Sequence, residues 1–168
     1  YLPKHGTNSC NEFQSLYYDG DSLLYAGTRG GYGVLCMNVY TKNYRFAKKN
    51  FEDHSAIGDV LSICRSSDSL FYIGASSGMS LLGLQDNRAT YLYHYNRNDG
   101  IGNDMIHGIL EGSDQSVWMS TNKGLTQYNP KNKLFHSYIG SGLEVVEFSD
   151  DSYWKCPYTG RLFFGGVN

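Results

Sequence analysis

The sequence predicts an all-β fold, a β-propeller fragment of about three and a half four-stranded antiparallel blades. Three observations carry that prediction. A motif of a short apolar strand, an aromatic residue and a Gly-containing turn occurs four times. Its copies are residues 22–31 (SLLYAGTRGG), 69–78 (SLFYIGASSG), 116–128 (SVWMSTNKGLTQY) and 160–168 (GRLFFGGVN). Aligned on Tyr25, Tyr72, Trp118 and Phe163, they lie 47, 46 and 45 residues apart, and a repeat of that period sets the architecture of the whole chain. No window carries a long apolar stripe at helical spacing, while β-branched and aromatic residues are frequent.

The third copy defines the unit. Residues 105–111 form a first strand, 112–115 a polar turn and 116–120 a second strand with period-two alternation. Asn122-Lys123-Gly124 turns the chain, because Gly tolerates the positive φ such turns need. Residues 124–128 and 134–138 complete four strands around the turn Asn129-Pro130-Lys131-Asn132. The second unit repeats the plan at 60–65, 69–75, 79–84 and 90–95, and the first at 13–18, 22–27, 33–38 and 44–47. Leu16, Ile63 and Ile109 each stand nine residues ahead of the key aromatic. The same offset places Trp154 before Phe163 and a first strand at 152–156. One partial propeller domain, 1–168, therefore divides into units of about 11–58, 59–104, 105–150 and an incomplete 151–168. Four-stranded antiparallel sheets at this period suit radial packing; a flat β-sandwich is the alternative.

Composition bounds the function. Aromatics are 15% of the 168 residues, with Tyr supplying 15. Their flat rings suit blade-to-blade contacts, the role assigned to most of them, and also suit sugar binding. A net charge of −2, with no basic run longer than Lys48-Lys49, excludes a nucleic-acid-binding face. No apolar run reaches the length of a membrane span, and no charged-then-apolar leader opens the chain. Beginning at Tyr1, the chain reads as a piece of a longer product. Cys10, Cys36, Cys64 and Cys156 fit no zinc or redox spacing. The last three fall in predicted strands and read as small buried hydrophobes. No cofactor and no metal is expected. His5, His54, His94, His107 and His136 are scattered, although His107 and His136 share one unit and leave a metal pair as the weaker alternative. Asp19-Gly20-Asp21 is too short for a calcium loop and reads as a polar turn.

Units of this form resemble the two-component regulator propeller repeat of hybrid two-component sensors of Bacteroidetes. The residues that carry the likeness are Asp99-Gly100-Ile101-Gly102-Asn103 leading into 105–111, then Val117-Trp118-Met119-Ser120-Thr121-Asn122-Lys123-Gly124-Leu125. Ser120 stands where the pattern has Gly. Gly27-Thr28-Arg29-Gly30 keeps the Gly-Thr pair, and Gly74-Ala75 has lost the Thr. The tail is similar to the last blade of these sensors, with Gly142-Leu143, then Glu147-Phe148, then residues 160–168. The resemblance implies a periplasmic, non-catalytic sensor segment responding to glycan-derived oligosaccharides. It also implies a β-sandwich, a membrane helix and a histidine kinase downstream.

Three units and part of a fourth leave two blade faces open. The expected partners are the remaining blades of the same receptor or a second copy in a homodimer, and residues 1–7 read as the outer strand of a preceding blade. Ligand chemistry is expected on the face where the turns between second and third strands meet the inter-blade connections. Arg29, Asn103, Asp104, Asn122, Lys123 and Glu147 lie there, a mixture of donors and acceptors suited to a small-molecule or oligosaccharide ligand. Catalysis is not expected. Glu144, Glu147, Asp150 and Asp151 crowd one segment and read as a solvated acidic rim rather than a spaced carboxylate pair, and no nucleophile elbow is present. The alternative functions are a rigid scaffold for protein partners and, less favoured, a carbohydrate-active enzyme.

Overall fold

The structure is a computed structural model that describes residues 12–49, 57–67, 69–85, 88–140, 142–143 and 147–167. Residues 1–7, Cys10, His54 and Glu144 lie outside the described residues. The first sheet contains β1 (Phe13–Tyr18), β2 (Leu23–Thr28), β3 (Val34–Asn38) and β4 (Tyr44–Phe46) in sequential antiparallel order. A two-residue strand, β5 (Lys48–Lys49), follows. The second sheet holds β6 (Val60–Arg65), β7 (Phe71–Ala75), β8 (Gly78–Gln85) and β9 (Arg88–Tyr95), with β5 added in parallel along β9. A 3-10 turn, Arg97–Asp99, leads to β10 (Ile106–Glu111), β11 (Val117–Thr121), β12 (Gly124–Asn129) and β13 (Leu134–Tyr138). β14 (Glu147–Lys155) and β15 (Leu162–Val167) pair as a hairpin.

The sheets fan about a common centre. First strands pack on first strands, β1 on β6, β6 on β10 and β10 on β14. Gln14 of the first sheet also meets Asp150 of the last, at 3.4 Å between Nε2 and Oδ2. Two residues separated by two intervening blades can touch only at the axis. A β-bulge interrupts each of the three complete first strands at the same point, between Phe13 and Ser15, Val60 and Ser62, and Ile106 and Gly108. Bulges re-aim side chains and strengthen twist.

Two cores lie between adjacent blades. Tyr25, Ile57, Val60, Phe71 and Tyr91 anchor the first, and Tyr72, Ile101, Ile106, Met119 and Tyr128 the second. Tyr25 stacks at a tilt on Phe71 of the next blade, with centroids 4.5 Å apart. Ile57 and Ile101 carry the connecting loops down into these cores. The hydroxyl of Tyr91 crosses to the neighbouring blade and accepts the buried Val34 N–H at 3.0 Å.

Small residues set how closely the blades approach. Ser15 pairs with Gly27, Ser62 with Gly74 and Gly108 with Ser120. Each sheet thus places one Ser and one Gly against the next blade, and the third has exchanged their order. A Cβ on Gly74 would meet Ser62 Oγ and stand 2.7 Å from Ile106 Cγ2; one on Gly108 would stand 2.5 Å from Tyr153 Cδ1. Ser120 at a position that elsewhere carries Gly is therefore balanced by Gly108 opposite it.

Several expectations are corrected. The fourth first strand begins at Glu147, not residue 152, so Cys156 lies just beyond it. The second sheet gains a fifth strand because the inter-blade segment runs along its outer edge. The four key aromatics are not equivalent. Tyr25 and Tyr72 are buried, Trp118 is half-buried and Phe163 is 52% exposed, because no further strand pairs with β15 among the described residues. Leu16 and Tyr18 on one end, and Trp154, Phe163 and Val167 on the other, form exposed apolar blade faces.

Candidate functional site

The loop face is built by short turns whose threonines close them. Thr28 Oγ1 donates to Gly33 O at 2.6 Å, and Thr121 Oγ1 donates to Gly124 O at 2.9 Å while accepting Lys123 N–H at 3.0 Å. Both threonines are buried. Ala75 offers no hydroxyl in the second blade. There Ser76 Oγ accepts Asp59 N–H and Ser77 Oγ donates to Ile57 O, so the turn is tied to the incoming connection instead.

The six residues singled out from the sequence divide among separate neighbourhoods on this face. Arg29 sits where the first and second blades meet, its Nε 3.5 Å from Asp59 Oδ2, while Asp59 Oδ1 accepts Gly30 N–H at 2.7 Å. Asn122 lies at the axis, with Oδ1 2.5 Å from His107 Nε2. The other ring nitrogen of His107 lies 2.5 Å from Asp150 Oδ1, and the imidazole is only 12% exposed. Asn103 Oδ1 accepts Met105 N–H and holds the entry to β10. Lys123 and Glu147 are exposed. Asp104 accepts both the backbone N–H and the Nε–H of Arg97, each at 2.7 Å.

Two readings of the acidic and imidazole residues change. Asp150 stays exposed, but it belongs to β14 and meets Gln14 and His107 at the centre. His107 and His136 do not pair, since they occupy the innermost and outermost strands of one sheet and His136 packs edge-on against Tyr138. Among the described residues no cluster of three or more His, Cys, Asp or Glu is placed to hold a metal ion. Asp19 caps its turn, Oδ1 accepting the backbone N–H groups of Asp21, Ser22 and Leu23.

A polar cleft of about 690 Å³ opens beside Asp104, on the second blade and the connection that follows it. Ser76, Ser77, His94, Asn96, Arg97 and Asn98 complete its lining. Its groups are held from behind. His94 Nδ1 lies 2.8 Å from Ser80 Oγ and Nε2 lies 3.1 Å from Ser77 O. Asn96 Oδ1 accepts Asn98 N–H at 2.9 Å, and Asp99 Oδ2 accepts Asn96 N–H, a reciprocal capping box. The run Asn96-Arg97-Asn98-Asp99 before Gly100 carries that capping signature in the sequence. Nothing local reveals that Arg97 folds back on Asp104, seven residues on.

With this geometry in hand, comparison with known proteins places the architecture. The chain has a β-propeller fold. It overlays, with a TM-score of 0.77 and 23% identity, on the extracellular domain of BT3049 of B. thetaiotaomicron, assigned to the hybrid two-component systems. The overlay covers 99% of this chain and 23% of that one. A gluconolactonase of Xanthomonas campestris gives 0.67 at 12% identity, covering 99% of this chain and 58% of that one. In sequence the chain is 25% identical to "Histidine kinase P4" of Formosa agariphila, over 93% of this chain and 11% of that protein. No protein-family model matches. The chain thus spans a small part of the curated relative. No described helix is long and apolar enough to cross a membrane.

Proposed function

We propose that this chain is a non-catalytic ligand-recognition segment in the periplasmic sensor of a hybrid two-component receptor, reading glycan-derived oligosaccharides on its loop face. The observation that carries the sensor reading is a likeness to a histidine kinase that runs along nearly the whole chain, on the fold of a two-component extracellular domain. The loop face supports recognition rather than bond-making. Its carboxylates are engaged singly, Asp59 with Arg29, Asp104 with Arg97 and Asp150 with His107, instead of facing each other across a cleft. The exposed apolar faces around Leu16 and Trp154 fit the remaining blades of the same receptor or a second copy.

Signalling then follows by population shift. A ligand that contacts one arrangement of the receptor's propellers better than another moves the equilibrium by that difference in affinity and no more. The test is an oligosaccharide array probed with the intact extracytoplasmic region. Binding of a defined oligosaccharide, followed by ligand-dependent autophosphorylation of the full receptor, is the expected outcome. An array without hits, together with a stably co-purifying protein partner, rejects the reading in favour of a scaffold.

A further inference from the structure

We infer that the cleft formed by the second blade and the connection that follows it is the ligand subsite, and that it grips a neutral, hydroxyl-rich ligand by its edge, with Arg97 and Asn98 as the contacting residues. The inference rests on the sensor reading above and adds to it a place and a chemistry.

The chemistry follows from which hydrogen-bonding capacity is already used. Arg97 spends its Nε on Asp104, and its terminal nitrogens make no hydrogen bond among the described residues, although the side chain is 71% exposed. Asn96 uses its oxygen on Asn98 N–H and keeps its amide N–H groups. The Asn98 side chain keeps both a donor and an acceptor among the described residues. Ser76 accepts from Asp59 and retains its hydroxyl proton; Ser77 donates to Ile57 and retains its lone pairs. The cleft therefore offers a planar fork of donors flanked by groups of both kinds. Hydroxyls, which donate and accept, are the ligand groups that match this set.

Charge separates neutral from anionic ligands. The Arg97 guanidinium is already matched by Asp104 at 2.7 Å, and Asp99 stands in the same turn. One cation against two carboxylates disfavours a phosphate, sulfate or carboxylate guest. No Tyr, Trp or Phe lines the cleft, and the one imidazole in it, His94, is engaged at both ring nitrogens, so a sugar ring is held at its rim, the fork of Arg97 spanning two neighbouring hydroxyls. A volume of about 690 Å³ lies within the range of small-molecule sites. The partners behind Arg97, His94 and Asn96 hold that part of the site in shape before a ligand arrives, which reduces the ordering cost of binding.

The test uses the intact protein on an array of neutral gluco-, manno-, galacto- and xylo-oligosaccharides printed beside uronate and sulfated counterparts, with calorimetry on the hits. Arg97→Ala and, separately, Asn98→Ala are expected to weaken a neutral hit about ten-fold or more. Both should leave the melting temperature within error, and Asn98→Ala keeps the Arg97–Asp104 contact intact. Lys131→Ala, in the turn between β12 and β13 and outside the cleft, should bind as the parent does. A neutral oligosaccharide held equally well by the parent and both cleft variants overturns the placement while leaving the sensor reading standing. Hits confined to anionic sugars, and lost in Arg97→Ala, overturn the chemistry. An array on which the intact protein binds nothing removes the sensor reading, and the subsite with it.

Discussion

Replacing Gly74 by alanine puts a methyl group into a tight point between the second and third blades. The new Cβ would overlap Ser62 Oγ, stand 2.7 Å from Ile106 Cγ2 and 3.3 Å from Ile106 O. Both neighbours are fully buried, so neither can swing into solvent. Relief requires the third blade to move outward, and overpacking of this kind costs about 1–3 kcal/mol. The φ angle at Gly74 is not positive, so the stiffer unfolded chain returns about 0.4–1 kcal/mol. The net loss should lower the melting temperature by a few degrees, at about 2–4 °C per kcal/mol for a chain of this size. Ser62 supplies the decisive control. Its Oγ has no partner among the described residues, so Ser62→Gly removes that overlap, though not the one with Ile106, without breaking a hydrogen bond. The double variant Ser62→Gly/Gly74→Ala reproduces the Gly-first order already present at Gly108 and Ser120, and it should recover part of the loss. Thermal unfolding followed by circular dichroism reads all four proteins. A Gly74→Ala protein that melts with the parent, or a double variant no better than Gly74→Ala, would refute the argument that one small pair per blade sets the spacing.

Three further outcomes are expected. Tyr91→Phe strands the buried Val34 N–H, and its urea midpoint should fall by the equivalent of about 1–3 kcal/mol at unchanged slope; an unmoved midpoint counts against the cross-blade bond. Of the three described cysteines, Cys156 should alkylate first in the folded protein at pH 8, since the hydrogen bond with the Thr159 side chain holds its thiol below the usual value. Burial pushes Cys64 up to about 11 and Cys36 up to about 12, so both should react only after unfolding, and equal labelling of the three would contradict that order. The Ser116 hydroxyl, aided by its backbone N–H, holds the Asp114 carboxyl below its ordinary 3.8. A depressed folded value adds stability that is complete above 3.8 and disappears as pH falls through the lower folded value. Asp114→Ala should therefore separate from the parent at pH 5 and converge with it at strongly acidic pH; a constant gap down the titration would exclude the linkage.

Local chemistry made most of the strands legible. Period-two alternation and Gly-containing turns mark β6 and β13 to the residue, and the recurrence of one motif near 46 residues reveals the blade. Where reading failed, a distant neighbour was responsible. Asp150 reads as one more acid in a polar run, yet β14 starts early enough to carry it to the axis, where His107 and Gln14 await it. Asp104 was legible as a polar loop residue. Arg97, which turns it into the wall of a cleft, was not, because a hydrogen bond closing a seven-residue loop leaves no periodic trace.

By itself the sequence determined that the chain is made of short antiparallel strands grouped into sheets in series, and about where the first three sheets begin. These depend on side-chain alternation and turn conformation, which act within a few residues. Only the tertiary structure decided how near one blade lies to the next, which polar groups meet at the centre, and which loop residues share a cleft. Those outcomes come from contacts between residues 7 to 136 apart, such as Arg97 with Asp104, Ser15 with Val60 and Gln14 with Asp150. Packing and charge choose such partners in three dimensions, and no local pattern along the chain encodes them.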